Sequence, residues 1–305
     1  MTDRAVIFSI SGYEALQNDL VEALAAECGQ IERSSFPDGE RYQRLLSPVD
    51  GRDVIIVGGT VNDTATLCLY DLACAVAKLG ARRLSLVVPY FGYSTMERAV
   101  KWGEVVTAKT RARLLSSVPP ASYGNRVFLV DLHSEGIPHY FESGVRAVHI
   151  YAKGILSPVI QELGGDDFVL GSTDSGRAKW VESLANDLGV EAAFIMKRRI
   201  SGAETRVTAL NAEVTGRTVV IYDDMIRSGG SLIGAAEAYR DAGAARLFAV
   251  CTHGVFTEGA FGRLKASGLF DTIVATDTHP EAIRHEADGL RLVSTAGLFT
   301  EHLRA

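Results

Sequence analysis

The chain has 305 residues, of which 47% are hydrophobic and 22% are charged, and its net charge at pH 7 is −6. This length accommodates two domains of about 150 residues, and the composition is typical of a globular protein rather than a disordered one. The negative charge argues against a nucleic-acid-binding function, and no apolar segment reaches the roughly 18 residues of a membrane span. We therefore expect a cytoplasmic protein that binds neither nucleic acid nor a membrane.

The four cysteines form no CxxC pair and no metal-spaced pattern with histidine; they are Cys28, Cys68, Cys74 and Cys251. We expect all four to be reduced and buried, as in a cytosolic protein. The N-terminal segment carries an acidic residue and only a short apolar run, so it does not resemble a signal peptide.

Short apolar segments alternate with amphipathic ones along the whole chain. The predicted strands are 5–10, 54–57, 84–89, 127–131, 168–171, 192–196, 218–222, 247–251 and 272–275. The predicted helices are 13–27, 64–79, 105–115, 176–188, 231–242 and 259–267. Most strands are apolar throughout, as expected when helices cover both faces of a parallel sheet.

This order of elements predicts an α/β fold with two doubly wound, mostly parallel-sheet domains. The change from the first series of strands to the second places the boundary between residues 141 and 151, which gives domains of 1–146 and 147–305. The last helix could pack back on the first domain. In such folds ligands bind at the carboxyl ends of the strands.

The most informative segment is 219–236, in which an apolar strand is followed by Asp223 and Asp224, a turn of small and polar residues, and an Ala-rich helix. Gly229 and Gly230 allow the backbone N–H groups of the turn to approach an anion, and the N-terminus of the helix adds positive partial charge. The two carboxylates suit sugar hydroxyls, since they would repel a phosphate. A solvated Gly-Gly turn is the plainer alternative, but the position of the acids at a strand end favours a pocket for ribose 5-phosphate.

This segment resembles the phosphoribosyl-binding signature of type I phosphoribosyltransferases and related pyrophosphokinases. Four further segments make the resemblance specific to the ribose-phosphate pyrophosphokinase family, and they are Phe36-Pro37-Asp38-Gly39-Glu40, Pro89-Tyr90-Phe91-Gly92-Tyr93, Asp131-Leu132-His133 and Lys197-Arg198-Arg199. Singly, these segments also fit a common turn, core packing, a half-buried histidine and a solvated basic edge. Together they follow the family's order, so the resemblance covers essentially the whole chain and implies domains of the type I phosphoribosyltransferase kind.

The family transfers the β,γ-pyrophosphoryl group of ATP to the 1-hydroxyl of ribose 5-phosphate and forms phosphoribosyl pyrophosphate and AMP. The resemblance implies catalytic roles for Lys197 and Arg199, and Mg²⁺ binding by His133 and Asp174. It implies ATP binding by Phe36, Asp38, Gly39, Glu40, Arg98 and His133, and ribose 5-phosphate binding by Asp223, Asp224, Arg227, Ser228, Gly229, Gly230 and Ser231. It also implies a homo-oligomer with ATP at a subunit interface, and a closing loop at 201–214.

The chain departs from the family pattern at three places. Thr95 and Met96 replace an Arg and a Gln that contact ATP, Arg177 replaces a Gly after Asp174, and Arg227 replaces an Asp in the sugar-phosphate turn. Loss of the Arg contact would typically cost about 1.5–3 kcal/mol of nucleotide binding. Arg177 could compensate by contacting phosphate.

Two other functions stay open. A non-catalytic regulatory homologue that binds a catalytic partner would explain Thr95 and Met96, although the chain keeps Lys197. A phosphoribosyltransferase would use the same sugar-phosphate turn, but the Phe36–Glu40 segment and the long first domain fit it poorly. Formation of AMP from ATP and ribose 5-phosphate distinguishes the three functions.

Overall fold

The computed structural model describes residues 5–173, 178–201 and 204–304, and it describes residues 196–201 and 204–210 by their backbone alone. The chain divides into two compact units. Unit 1 contains Met1–Tyr151 together with Ser294–Ala305, and unit 2 contains Ala152–Val293.

The strands of unit 1 are β1 (Val6–Ser9), β2 (Glu27–Cys28), β3 (Ile31–Ser35), β4 (Arg41–Leu45), β5 (Asp53–Val57), β6 (Arg83–Val88), β7 (Asn125–Val130) and β8 (Arg146–Ile150). Six of them form a parallel sheet in the order β2-β1-β5-β6-β7-β8 within the described residues. Strands β3 and β4 form a separate antiparallel hairpin. The central strands are buried along their length because helices cover both faces of the sheet.

The helices of unit 1 are α1 (Glu14–Leu24), α2 (Asp63–Lys78), α3 (Thr107–Ser116) and α9 (Ala296–Arg304), with a 3₁₀ turn at Ile137–Tyr140. Helix α2 begins at Asn62, whose side chain accepts the N–H of Ala65 at 2.8 Å. Helix α9 packs against α1, although the whole of unit 2 separates them in sequence.

The strands of unit 2 are β9 (Phe168–Ser172), β10 (Glu191–Ala193), β11 (Ile195–Ser201), β12 (Glu204–Leu210), β13 (Thr218–Ile226), β14 (Arg246–Gly254), β15 (Thr272–Thr276) and β16 (Arg291–Val293). Its helices are α4 (Lys153–Gly164), α5 (Ala178–Leu188), α6 (Gly230–Asp241), α7 (Ala260–Ala266) and α8 (Pro280–His285). A second parallel sheet has the order β10-β9-β13-β14-β15-β16 in the described part of the chain. Strands β11 and β12 pair with each other as an antiparallel hairpin.

The predicted α/β fold with two mostly parallel sheets is confirmed. Several predicted elements have other bounds. The helix predicted at 13–27 ends at Leu24, because Ala25 adopts a left-handed conformation with φ 50° and Glu27–Cys28 pairs with β1. The strand predicted at 192–196 is two strands, since β10 pairs with β9 whereas β11 pairs with β12. The loop predicted at 201–214 contains β12.

The described helices include none that is both long and apolar enough to cross a membrane. The four cysteines are free, but the prediction that all are buried is wrong. Cys28 is exposed, Cys68 and Cys74 are partly exposed, and only Cys251 is buried.

Candidate active site

The carboxyl ends of β9, β13, β14 and β15 lie at one edge of the unit 2 sheet because these strands are parallel. Strand β13 pairs with β9 only as far as Tyr222 opposite Ser172, whereas its pairing with β14 continues to Ile226 opposite Gly254. The last residues of β13 therefore have β14 on one side and no β9 ladder on the other. The sheet is open at this point, beside Asp223.

The two adjacent carboxylates lie inside β13, not after its end as predicted from the sequence. Successive side chains of a strand point to opposite faces, so Asp223 and Asp224 have different surroundings. Asp223 is half-buried, whereas Asp224 is only 5% exposed. The two residues are therefore unequal candidates, and Asp223 is the more accessible to a ligand.

Two hydrogen bonds fix the Asp223 carboxylate. Thr173 Oγ1, at the end of β9, donates to Asp223 Oδ2 at 2.9 Å, and the backbone N–H of Asp224 donates to Asp223 Oδ1 at 2.9 Å. Thr173 is buried and was not among the residues predicted for the site. Its signal in the sequence was only its position after the apolar strand at 168–171.

The buried thiol of Cys251 lies opposite Asp223 on the neighbouring strand. Burial raises the pKa of Cys251 well above its ordinary value, and the nearby Asp223 carboxylate raises it further. The thiol therefore stays protonated at neutral pH, and Cys251 is a packing residue rather than a nucleophile.

The turn that follows β13 leads directly into α6. Gly229 has φ 80°, a left-handed conformation that favours glycine, and a Cβ there would lie 3.1 Å from Leu264 Cγ. The first intrahelical bond runs from the N–H of Ile233 to the carbonyl of Gly229 at 2.9 Å. The N–H groups of the preceding residues, Gly230 to Leu232, lie in the first turn and have no intrahelical acceptor. They form the anion-binding end of the helix.

Neighbouring segments hold the turn in place. The N–H groups of Val255 and Phe256 both bond to the carbonyl of Ile226 at 3.0 Å, and the N–H of Thr257 bonds to the carbonyl of Arg227 at 3.1 Å. From α7, Arg263 donates to the carbonyl of Ser228 at 3.1 Å. Arg227, Ser228, Gly230 and Ser231 remain exposed on the outside of this turn.

A buried polar cluster lies beside the turn, at the ends of β14 and β15. His253 Nδ1 lies 2.8 Å from Thr278 Oγ1, and Thr276 Oγ1 donates to the carbonyl of Thr252 at 2.6 Å. His279 is also buried, and its Nδ1 accepts the N–H of Glu281 at 3.2 Å. Burial lowers the pKa of His279 to about 3, with further lowering by His253 and Arg284, so this imidazole is neutral. The site residues predicted from the sequence include none of this cluster.

The hairpin tip of unit 1 carries four of the residues predicted to bind ATP. The N–H of Phe36 bonds to the carbonyl of Glu40 at 2.8 Å, the N–H of Gly39 bonds to the carbonyl of Phe36 at 2.9 Å, and Asp38 Oδ1 accepts the N–H of Glu40 at 3.0 Å. Gly39 has φ 92°. The tip is thus a defined turn, and it presents Phe36 with 52% of its surface exposed.

The other predicted ATP-site residues follow β6 and β7 at the carboxyl edge of the unit 1 sheet. His133 follows β7 and is half-buried, after Asp131, which is buried with φ 36°. Leu132 donates its N–H to His149 Nε2 at 3.0 Å, and burial lowers the pKa of His149, so the accepting nitrogen stays unprotonated. Arg98 is exposed, and its Nε lies 3.4 Å from Oε1 of Glu97.

Four residues singled out in the sequence cannot be placed by their side chains. Asp174 and Arg177 lie outside the described residues, and Lys197 and Arg199 belong to β11, whose side chains beyond Ile195 are not described. The backbone of Lys197 lies opposite Val207 in the β11–β12 hairpin, and that of Arg199 opposite Thr205.

Known proteins with similar sequences match almost the whole chain. Residues 5–118 match the N-terminal domain of ribose phosphate pyrophosphokinase, and residues 175–305 match the phosphoribosyl synthetase-associated domain. The ribose-phosphate pyrophosphokinase of Methanopyrus kandleri is 35% identical over 277 residues, which cover 90% of this chain and 92% of that protein. The chain belongs to the ribose-phosphate pyrophosphokinase family.

Other members of the ribose-phosphate pyrophosphokinase family agree over the full length. The enzyme of Chromobacterium violaceum is 34% identical over 307 residues, which cover 99% of this chain and 91% of that protein. The crystal structure of phosphoribosylpyrophosphate synthetase from Mycobacterium smegmatis superposes with a TM-score of 0.86 at 26% identity, covering 99% of this chain and 98% of that one.

Proposed function

We propose that this protein is a ribose-phosphate diphosphokinase, which transfers the β,γ-pyrophosphoryl group of ATP to the 1-hydroxyl of ribose 5-phosphate and releases AMP. The observation that carries the proposal is the end of β13. There, an oriented carboxylate, a left-handed glycine turn and the N-terminus of α6 follow one another in a chain of this family.

On the ribose side, the carboxylate of Asp223 accepts hydrogen bonds from the sugar hydroxyls. Thr173 and the N–H of Asp224 hold this carboxylate in one orientation, so less conformational freedom is lost when the sugar binds. Asp224 contributes the second carboxylate at the same strand end.

The 5-phosphate binds at the turn formed by Arg227, Ser228, Gly229, Gly230 and Ser231. The N–H groups of the first turn of α6 point towards the anion, and the helix dipole typically contributes about 0.3–1 kcal/mol. The exposed hydroxyls of Ser228 and Ser231 donate further hydrogen bonds, and Arg227 adds positive charge.

The transfer step is an in-line attack of the anomeric oxygen on the β-phosphorus of ATP. The bond between the β-phosphorus and the oxygen bridging to the α-phosphorus breaks, AMP leaves, and the proton of the 1-hydroxyl is lost to solvent or to an ionised carboxylate such as that of Asp223 or Asp224. Lys197 and Arg199 neutralise the charge that develops on the transferred group. Positioning and charge neutralisation supply most of the catalysis in such reactions, so no covalent intermediate with the protein is needed.

Mg²⁺ is the expected metal, because bridging phosphate oxygens are hard ligands and the ion needs only one or two ligands from the protein. The described residues contain no group of three or more His, Cys, Asp or Glu that could hold a metal ion by itself. A site with only Asp174 and His133 as protein ligands fits an ion that arrives bound to the nucleotide. Asp174 would supply a carboxylate and His133 a contact to the phosphate or to a bound water, and the ion would neutralise phosphate charge.

On the nucleotide side, the hairpin tip supplies Phe36, Asp38, Gly39 and Glu40, and the edge of the unit 1 sheet supplies Arg98 and His133. Phe36 is exposed at a defined turn, so its ring is available to stack on a base. In the proposed homo-oligomer the tip serves the ATP site of a neighbouring subunit. Thr95 and Met96 leave the nucleotide with fewer charged contacts, which alters the preference for the nucleoside triphosphate.

The test is an assay of purified protein with ribose 5-phosphate, Mg²⁺ and ATP, in which AMP and phosphoribosyl pyrophosphate are both measured. We expect equimolar products, and a loss of at least about 100-fold in kcat for Lys197→Ala. The matched control is Lys153→Ala, which removes an exposed lysine that pairs with Asp187 at 2.8 Å and should leave kcat unchanged. No AMP with any nucleoside triphosphate would contradict the proposal and favour a regulatory homologue.

A further inference from the structure

A cluster of arginines lies at the amino-terminal ends of the strands in unit 1, at the opposite edge of the sheet from His133. Arg126 is the second residue of β7, and its partner in the parallel ladder is Arg146, the first residue of β8. Paired residues of neighbouring parallel strands place their side chains on the same face. The two guanidinium groups are therefore neighbours on one face of the sheet.

A cleft of about 490 Å³ opens over this face. Arg126, Arg146, Phe128 and Val148 line it from the sheet, and Glu301 and His302 line it from α9. The apolar pair lies two residues further along the same strands than the basic pair, so one end of the cleft is cationic and the other apolar. His302 Nδ1 lies 2.9 Å from the carbonyl of Leu298 and donates to it, which leaves Nε2 for a ligand.

The arginines of the cleft are not ion-paired with a carboxylate in the part of the chain that the structure describes. Elsewhere in unit 1, Arg82 pairs with Asp53 at 2.9 Å and Arg113 pairs with Glu142 at 3.0 Å. Over the described ranges, neither Arg126 nor Arg146 forms an ion pair, although the chain has an excess of acidic residues. Burial lowers the pKa of Arg126, the positive charges of Arg83 and Arg146 lower it further, and the Asp53 carboxylate opposes this shift only in part.

We propose that this cleft binds a small organic oxyanion, a carboxylate or a phosphate monoester with an apolar body. Each guanidinium offers a planar pair of N–H donors that matches either oxyanion, and the anion would relieve the repulsion between the two side chains. Phe128 and Val148 would contact the body of the ligand, and Glu301 would accept a hydrogen bond from any hydroxyl that it carries. None of these residues belongs to the proposed ATP or ribose 5-phosphate sites.

The test is calorimetric titration of the full chain with phenyl phosphate, benzoate and the neutral benzyl alcohol, with ribose 5-phosphate saturating the turn before α6. We expect at least one of the two anions to bind and benzyl alcohol not to bind. Arg126→Gln and Arg146→Gln should each lower the affinity for the anion by about tenfold or more. The control is Arg113→Gln, an exposed arginine of α3 outside the cleft, which should leave the affinity unchanged. The anion that binds more tightly, phenyl phosphate or benzoate, shows whether the cleft prefers a phosphate or a carboxylate.

Thermal unfolding without ligand gives a second readout. Arg126→Gln should be at least as stable as the wild type at low salt, since it removes a partly desolvated cation whose repulsion by Arg83 and Arg146 outweighs its attraction to Asp53. Three results would overturn the proposal. The first is that neither anion binds more tightly than benzyl alcohol, and the second is that all three arginine variants weaken anion binding equally. The third is that the cleft variants change the mass of the assembly in sedimentation without changing its affinity for the anion. The last result would make this face an interface between copies of the chain.

Discussion

Thr173 positions the Asp223 carboxylate through a single hydroxyl, so its role can be tested without a change in volume. Thr173→Val removes the donor to Asp223 Oδ2 and leaves the hydrogen bond from the N–H of Asp224 to Asp223 Oδ1 in place. On the proposed function, we expect kcat/KM for ribose 5-phosphate to fall about tenfold, mostly through KM, because the carboxylate is less well ordered.

Thr173→Ser restores the hydroxyl and should recover most of the loss, with KM for ATP unchanged in both variants. An equal rise in both KM values would mean that Thr173 acts through the general packing of unit 2. A fall in activity that Thr173→Ser does not restore would also contradict a positioning role.

The adjacent glycines of the turn make a matched pair. At Gly229, an alanine would be strained at φ 80° and would contact Leu264, so we expect Gly229→Ala to lower the free energy of unfolding by about 1–2 kcal/mol. At Gly230, the nearest atom to an added Cβ is Ser228 Oγ at 3.9 Å, and the residue begins a helix. Gly230→Ala should therefore leave the free energy of unfolding unchanged.

On the proposed function, Gly230→Ala should still raise KM for ribose 5-phosphate at least about tenfold, because its methyl group lies where the phosphate approaches the first turn of α6. Denaturant unfolding and steady-state kinetics on both variants separate the two effects. A stable Gly230→Ala variant with an unchanged KM would place the phosphate elsewhere.

At the scale of an element, helix α8 begins at a buried histidine whose charge state affects folding. The pKa of His279 is about 3 in the folded protein and about 6.5 in the unfolded chain, with burial as the main cause. Above pH 6.5 neither state binds the proton, so this stabilisation is fully present. Below pH 6.5 only the unfolded chain binds it, and the stabilisation falls by about 1.4 kcal/mol per pH unit until pH 3.

His279→Asn removes the titration and keeps an acceptor for the N–H of Glu281, since asparagine is a good N-cap residue. We expect the loss of unfolding free energy between pH 7 and pH 5 to be about 2 kcal/mol smaller in this variant than in the wild type. The control is His139→Asn, which replaces an exposed histidine of unit 1. Parallel pH profiles for all three proteins would contradict the assignment.

At the scale of the whole molecule, the proposed ligand sites lie on different units, which hydrogen exchange can resolve. Ribose 5-phosphate alone should slow amide exchange in the turn and first helical residues at 228–233, and leave the tip at 36–40 unchanged. At about 100 times its Kd it should stabilise the protein by about 2.7 kcal/mol. A nonhydrolysable ATP analogue with Mg²⁺ should protect the tip. Protection of the tip by ribose 5-phosphate alone would contradict this division of the sites.

Sequence patterns predicted the buried parallel strands well, and tertiary pairing decided the rest. Continuous apolar segments such as β5 and β6 are recognisable because both of their faces are buried. The hairpin of β3 and β4 is polar and exposed, so its backbone pairing left no hydrophobic pattern. Helix α4 contains Pro158, which weakens a helical pattern. The end of β13 was predicted too early because acidic residues disfavour a strand, whereas pairing with β14 continues it to Ile226.

The sequence by itself determined the family, the fold class and the chemical types of the site residues, because these depend on local composition and on the order of short motifs. The tertiary structure alone decided that Thr173 orients Asp223, that Asp224 is buried, and that Arg126, Arg146 and α9 surround one cleft. These contacts join residues that are distant in the chain, and only the register of parallel strands and the packing of helices on the sheets bring them together.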